Sequence, residues 1–144
     1  MVIIMEIKKI VYIVRPEVKV EGLRGYENIV FHNQLYGIQG LKQNPLAIVI
    51  DLGLKKVTGL DLIQIIRANP VNHKIKIIMC SKKYNHNLIK KCFDAGGDFY
   101  VSIPLDKNEI DFILSDIRRH YEQFDFTNDA MANPLTLATS DIGE

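Results

Sequence analysis

The sequence predicts an α/β protein: a doubly wound, five-stranded parallel sheet in the order 2-1-3-4-5, with a shortened first helix. Three observations carry that prediction. Short unbroken apolar runs, as at residues 10–14 and 47–50, read as strands buried on both faces, the mark of a parallel sheet. Segments with apolar residues at helical spacing lie between such runs, so strand and helix alternate along the chain. The run Ala47-Ile48-Val49-Ile50 then leads into a single carboxylate, Asp51. A buried strand ending in an acid puts that acid at the carboxyl edge of the sheet, where open α/β folds gather their ligand and catalytic groups.

The elements follow in order. Ile10-Val11-Tyr12-Ile13-Val14 is the first strand, stopped by Arg15-Pro16. Residues 17–25 are too few for more than one or two helical turns, and Gly22 and Gly25 lower helical propensity further. Ile29-Val30-Phe31 makes a short edge strand, and residues 34–42 a helix with Leu35, Ile38 and Leu41 at helical spacing. After the strand ending in Asp51, Thr58 and Asp61 form a capping box that opens a helix buried through Leu62, Ile63, Ile65 and Ile66 and ended by Asn69-Pro70. Ile75, Ile77, Ile78 and Met79 make the fourth strand, closing at Cys80-Ser81. A helix from about Asn87 buries Leu88, Ile89, Cys92 and Phe93 and stops at Gly96-Gly97. Phe99-Tyr100-Val101 is the fifth strand, and Asp106 with Glu109 caps the last helix, which runs to about Tyr121. The polar stretch beyond reads as a tail, giving a folded domain over residues 1–122 and a linker over 123–144.

Composition excludes more than it selects. A chain of 144 residues, 47% hydrophobic and 24% charged, is one globular domain by prior. A net charge of +1 offers no electrostatic reason for nucleic acid or an acidic membrane as partner. Met1-Val2-Ile3-Ile4-Met5 is too short for a signal peptide or a span, so the expected location is the cytoplasm. Cys80 and Cys92 are spaced for neither a disulfide framework nor a metal knuckle, and both are expected to be core residues. His32, His73, His86 and His120 lack ligand spacing and read as surface residues, while Lys82-Lys83 and Lys90-Lys91 make a basic, solvated face.

The ordered landmarks resemble the receiver domain of bacterial two-component response regulators, a flavodoxin-like fold, from about residue 8 to 121. Asp51 falls where that family has its phosphoacceptor, and Gly59 matches the glycine eight residues on. Ser81 stands at the end of strand four, where the family keeps a Ser or Thr. Ala95-Gly96-Gly97-Asp98 looks like its small-Gly-Ala-Asp turn. Tyr100 matches its switch aromatic, and Pro104 the proline of its Lys-Pro pair. The departures are as specific. The family's two adjacent acids after strand one, which hold Mg²⁺ with the phosphoacceptor, are here Arg15 and Pro16; its lysine is Ile103; its usual proline after the phosphoacceptor is Lys55.

Phosphoryl transfer to a carboxylate needs charge neutralisation around the transferred group, and Mg²⁺ needs oxygen ligands. Asp51 alone remains of the three acids, and Arg15 puts a fixed cation where the metal would lie, ready to pair with Asp51 as a fork. The expectation is therefore an atypical receiver: not an enzyme, without cofactor, acting by protein–protein contact. Its partner would be a histidine kinase, an output domain or another signalling protein, with a homodimer possible and no membrane or direct nucleic-acid contact. One alternative is a working phosphoacceptor, phosphorylated on Asp51 with Mg²⁺ held by Glu17 and Asp51. Another is the N-terminal regulatory domain of a bacterial enhancer-binding transcription regulator, suggested by Ser140-Asp141-Ile142-Gly143-Glu144. A flavodoxin-type cofactor binder is disfavoured, because no Gly/Ser/Thr-rich phosphate loop follows strand one. The shortened first helix also leads to an expected apolar gap, covered either by the last helix leaning across with Phe112 and Tyr121 supplying bulk or by a partner or second copy; self-association or partner docking through the side bearing residues 22–26 and the last helix is the expectation.

Overall fold

A computed structural model describes residues 7–132, with side chains up to residue 120. The chain divides into two compact units, Met1–Ile110 and Asp111–Glu144. The first holds a parallel sheet of five strands in the order β2-β1-β3-β4-β5: β1 (Lys8–Ile13), β2 (Tyr26–Phe31), β3 (Ala47–Asp51), β4 (Lys76–Ser81) and β5 (Phe99–Ser102). Helices α1 (Gln34–Gln39), α2 (Gly59–Ala68) and α3 (His86–Ala95) connect them, and α4 (Lys107–Ala132) begins in this unit and makes up the described part of the second. The order reverses between β1 and β3, whose register sets Ile13 beside Ile50. The carboxyl ends of these two strands therefore flank the switch point.

Strand periodicity sorts the apolar residues onto two faces. Val11, Ile13, Ile48, Ile50, Ile77 and Met79 join Leu62, Ile63 and Ile66 of α2 and Ile89 and Cys92 of α3 in one buried cluster. Local chemistry fixes the helix starts. Thr58 Oγ1 accepts from Asp61 N at 3.2 Å while Asp61 Oδ2 accepts from Thr58 N at 2.9 Å, completing the expected capping box. Asn85 caps α3 through Leu88 N, and Asp106 Oδ1 accepts from Asn108 N at the head of α4.

Ile65 of α2 and Phe93 of α3, expected inside, are exposed, and two larger expectations are corrected. The short first helix is not formed: between β1 and β2 the chain makes turns and extended loop only. Pro16, the β-branched Val18 and Val20, and two glycines within twelve residues give a helix too little to nucleate on. The loop meets the crossover minimum of about a dozen residues, and it does the helix's packing work itself. Val18 and Leu23 are buried, each burial stabilising by about 1.5–3 kcal/mol. Tyr12 Oη donates to Asn28 Oδ1 at 3.0 Å, and Asn28 Nδ2 donates to the carbonyls of Leu23 and Tyr26. Gly25, with φ of +89°, closes the turn in which Tyr26 N donates to Leu23 O. Leu23 is buried among residues 22–26, while Val30 of β2 and Phe112 are exposed, Phe112 to 73%. The side chain of Tyr121 lies outside the described residues.

The second correction concerns the last helix, which does not stop near Tyr121 but continues to Ala132. Residues 133–144, with the Ile-Gly-Glu stretch, and residues 1–6 lie outside the described residues.

Candidate functional site

The carboxyl edge of β1 and β3 is where the candidate residues meet. Val14 N donates to Phe31 O at 3.1 Å, carrying the β1–β2 pairing one residue beyond the strand. Arg15 then lies across the end of β3. Its Nε donates to Asp51 Oδ2 at 2.7 Å and its Nη2 to Asp51 Oδ1 at 3.2 Å, a two-pronged fork. Two backbone donors complete the shell: Arg15 N to Oδ2 at 3.0 Å and Gly53 N to Oδ1 at 2.7 Å. Each carboxylate oxygen thus accepts two hydrogen bonds, and Asp51 is fully buried. The Arg15 side chain is 26% exposed, and its Nη1 lies 3.6 Å from Glu17 Oε2. The hydrogen bonds to Asp51 raise the pKa of Arg15 further above its ordinary value, so it stays a cation at any working pH. Beneath the pair, burial pushes the Cys80 thiol well above its ordinary value, and the charge of Asp51 adds to the shift.

A second group gathers around β4 and β5. Ser81 Oγ donates to Lys83 O at 2.9 Å, which leaves it to accept from Tyr100 Oη at 2.6 Å. The Tyr84 ring meets Tyr100 edge-on, at 6.0 Å and 82°. Ile103 N donates to Ser81 O at 2.8 Å, and the Ile103–Pro104 bond is cis. Ser81 and Tyr100 are therefore paired with each other, while Asp51 is served from Arg15 and its own loop. Pro16 and Lys55 are exposed, and Ile103 is half-buried. Cys92 is buried and free, as is Cys80. His32, His73, His86 and His120 are exposed, and His32 Nδ1 donates to Val14 O. Among the described residues no group of three or more His, Cys, Asp or Glu could hold a metal ion.

Two residues of the site carry no sequence signal that singles them out. A Cβ on Gly53 would lie 2.5 Å from Cζ and Nη2 of Arg15, so any side chain at 53 would have to push the guanidinium aside. The pairing of a basic residue after strand one with a glycine two residues past Asp51 is the pattern that could have found it. Gln34 Nε2 donates to the carbonyls of both Lys55 and Val57, clamping the β3–α2 loop from the start of α1.

A five-stranded 2-1-3-4-5 sheet with a buried carboxylate at its switch point defines the class: a doubly wound, flavodoxin-like α/β domain. The chain belongs to the response regulator receiver domain family, whose family model matches residues 20–117. That match begins after Arg15 and Pro16. A curated relative, the nitrate/nitrite response regulator protein homolog of Haemophilus influenzae, is 33% identical over 95 residues, covering 66% of this chain. The chain spans 43% of that relative's length. Among solved structures, Vibrio cholerae chemotaxis protein CheY4 superposes with a TM-score of 0.66 at 12% identity, covering 78% of this chain and 99% of that one. A CheY-like receiver domain protein from Methanospirillum hungatei does so with 0.63 at 18%, covering 80% and 99%. The fold is theirs. Receiver domains act in two-component signalling, through partners such as histidine kinases or output domains, and are generally non-enzymatic modules. Among the described residues no helix is long and apolar enough to cross a membrane.

Proposed function

We propose that this receiver domain transmits its signal by protein–protein contact, with Asp51 held by Arg15 instead of being phosphorylated in the Mg²⁺-dependent way. The observation that carries the reading is the filled coordination shell of Asp51: both oxygens accept two hydrogen bonds, one from the fork and one from the backbone on Oδ1, and the fork and the Arg15 amide on Oδ2. Mg²⁺ takes near-octahedral oxygen ligands and usually at least one or two carboxylates. The set at Asp51 does not fit it, because a guanidinium stands where further carboxylates are needed and repels the ion. Glu17, the substitute acid, sits against Arg15 on the solvent side and is largely exposed. Ile103 supplies no cation for a transferred phosphoryl group. The partner is a histidine kinase, an output domain or another signalling protein that reads the surface of the domain.

Incubation of the protein with acetyl phosphate and Mg²⁺, or with beryllofluoride, tests the reading by intact mass and amide NMR. The expected result is no change in either. A matched gain-of-function chain, Arg15→Asp with Pro16→Asp and Ile103→Lys, is expected to take up one phosphoryl group that Asp51→Asn removes. Stoichiometric phosphorylation of the unaltered protein at Asp51 would overturn the proposal in favour of a working phosphoacceptor.

A further inference from the structure

We propose that the two loops flanking Asp51 at the carboxyl edge form one basic docking surface, built on Lys55, Lys56, Lys82 and Lys83, for an acidic segment of the partner protein. The inference rests on the reading that the domain works by protein contact, and it names the chemistry of that contact. Neighbouring strands set the loops side by side: Asp51 stands opposite Cys80 in the register, and Leu52 N donates to Cys80 O at 2.8 Å just beyond β3. All four lysines are exposed. Among the described residues no hydrogen bond or ion pair reaches their ammonium groups, whereas Arg15, Arg67, Lys90 and Arg119 each pair with a carboxylate. The basic face read from the sequence therefore divides: Lys90 pairs with Asp94 at 3.1 Å, and Lys82 and Lys83 are left to solvent.

The carboxylates at this edge are already engaged. Asp51 and Glu17 both face Arg15, Asp61 accepts from Thr58 N, and Asp106 accepts from Asn108 N. Lys107 and Glu109, in the first turn of α4, offset each other in charge. Four cations with no anion among them repel one another, and a partner that supplies carboxylates relieves that repulsion. The loops are also held in place at the lysines themselves. Gln34 Nε2 donates to Lys55 O at 3.1 Å and Ser81 Oγ to Lys83 O at 2.9 Å, so backbone carbonyls and not ammonium groups anchor the chain. Lys56 has a φ of +69°, a left-handed conformation rare for a lysine. Tyr84, next in the chain to Lys83 and exposed, rests edge-on against Tyr100 and adds a rigid aromatic contact. A backbone fixed in advance leaves only the lysine side chains to be ordered on binding. A polypeptide fits this surface better than a nucleic acid does. Nucleic-acid surfaces are basic stripes on strongly basic domains, whereas this chain has a net charge of +1 and its cluster occupies one edge.

Fluorescence anisotropy of a labelled octaglutamate peptide, titrated with the full chain, is the test. Saturable binding is expected, weakening as salt is raised, with octaglutamine left unbound. Lys55→Gln with Lys56→Gln, and separately Lys82→Gln with Lys83→Gln, should each raise the dissociation constant about three- to tenfold. Lys42→Gln with Lys76→Gln removes the same charge near the amino ends of β3 and β4 and should leave the constant unchanged. Amide NMR shifts of the unaltered protein on adding octaglutamate should centre on residues 53–57 and 81–86, a readout that needs no variant. The inference is overturned if octaglutamate does not bind saturably, if octaglutamine binds as tightly, or if the Lys42 and Lys76 variant loses as much as either loop variant. Amide shifts centred elsewhere overturn it too, as does tighter binding of octathymidylate, which would make a nucleic acid the occupant. Phosphorylation plays no part in these readouts, so a working phosphoacceptor can pass this test and an unphosphorylated domain can fail it.

Discussion

Replacing Arg15 with alanine removes two of the four hydrogen bonds to Asp51, those from Nε and Nη2, and leaves the donors Arg15 N and Gly53 N in place. Hydrogen bonds to a charged group are worth about 1.5–3 kcal/mol each, so the simple sum is about 3–6 kcal/mol. Two effects reduce it. The Arg15 side chain is 26% exposed, so its removal lets water re-solvate one side of the carboxylate. An effective dielectric of about 20 also limits the Coulomb attraction at contact to about 4 kcal/mol. The expected loss is about 2–4 kcal/mol, near the cost of breaking a buried pair from one side. In urea, with a slope of about 2 kcal/mol per M, the midpoint should fall by about 1–2 M. The loss is expected to be asymmetric. Asp51→Asn leaves a guanidinium that can turn to water and Glu17, and should cost less, about 1–2 kcal/mol. Arg15→Lys keeps the charge but not the fork, and should recover less than half of the deficit. Urea unfolding followed by circular dichroism on both single variants and the double variant gives the coupling energy. A loss under about 0.5 kcal/mol for Arg15→Ala, or a coupling near zero, would show that the pair behaves as an ordinary surface ion pair and would refute the reasoning.

Two further outcomes can be checked on the same instrument. Gly53→Ala should destabilise by about 1–2 kcal/mol, since its Cβ displaces the guanidinium from Asp51. In the Arg15→Ala background the same change should be neutral or slightly stabilising, by up to about 1 kcal/mol, because nothing is left to displace and alanine restricts the unfolded chain. Burial pushes the Tyr12 phenol up to about 12. Its folded pKa lies above the ordinary value of about 10, so the contribution of the neutral phenol is fully present below pH ~10 and is lost as pH climbs towards ~12. Tyr12→Phe should therefore be the less stable protein at pH 7, by about 1 kcal/mol for the hydrogen bond lost at Asn28. The gap should close above pH ~10; a gap that holds constant to pH 12 would contradict it.

The fold was legible because its signals are local and repeated. The apolar runs of β1, β3 and β4, the Thr58–Asp61 box and the position of Asp51 all depend on neighbours in sequence. The fork was legible for a different reason: a cation at Arg15 and an acid at Asp51, both at carboxyl ends of adjacent strands, have few other ways to neutralise each other. What stayed hidden depends on contacts across the chain. That Val18 and Leu23 fill the place of a helix follows from Asn28 reaching over from β2, which no periodicity encodes. Gly53 matters only once the side chain of Arg15 is laid over it, and Gln34 only once α1 meets the β3–α2 loop. The continuation of α4 was masked by composition: Asp, Asn and Thr beyond residue 121 look like tail.

The fork also sets how often Asp51 stands uncovered. If opening it within the folded protein costs on the order of the 2–4 kcal/mol worked out above, the open form is populated roughly one part in thirty to one part in a thousand. Any small phosphodonor or cation that needs Asp51 unoccupied binds only that fraction, so its apparent dissociation constant rises by the same factor, roughly one and a half to three orders of magnitude. By reciprocity, a partner protein that pulls Arg15 aside would return that factor, making Asp51 receptive only while the partner is docked.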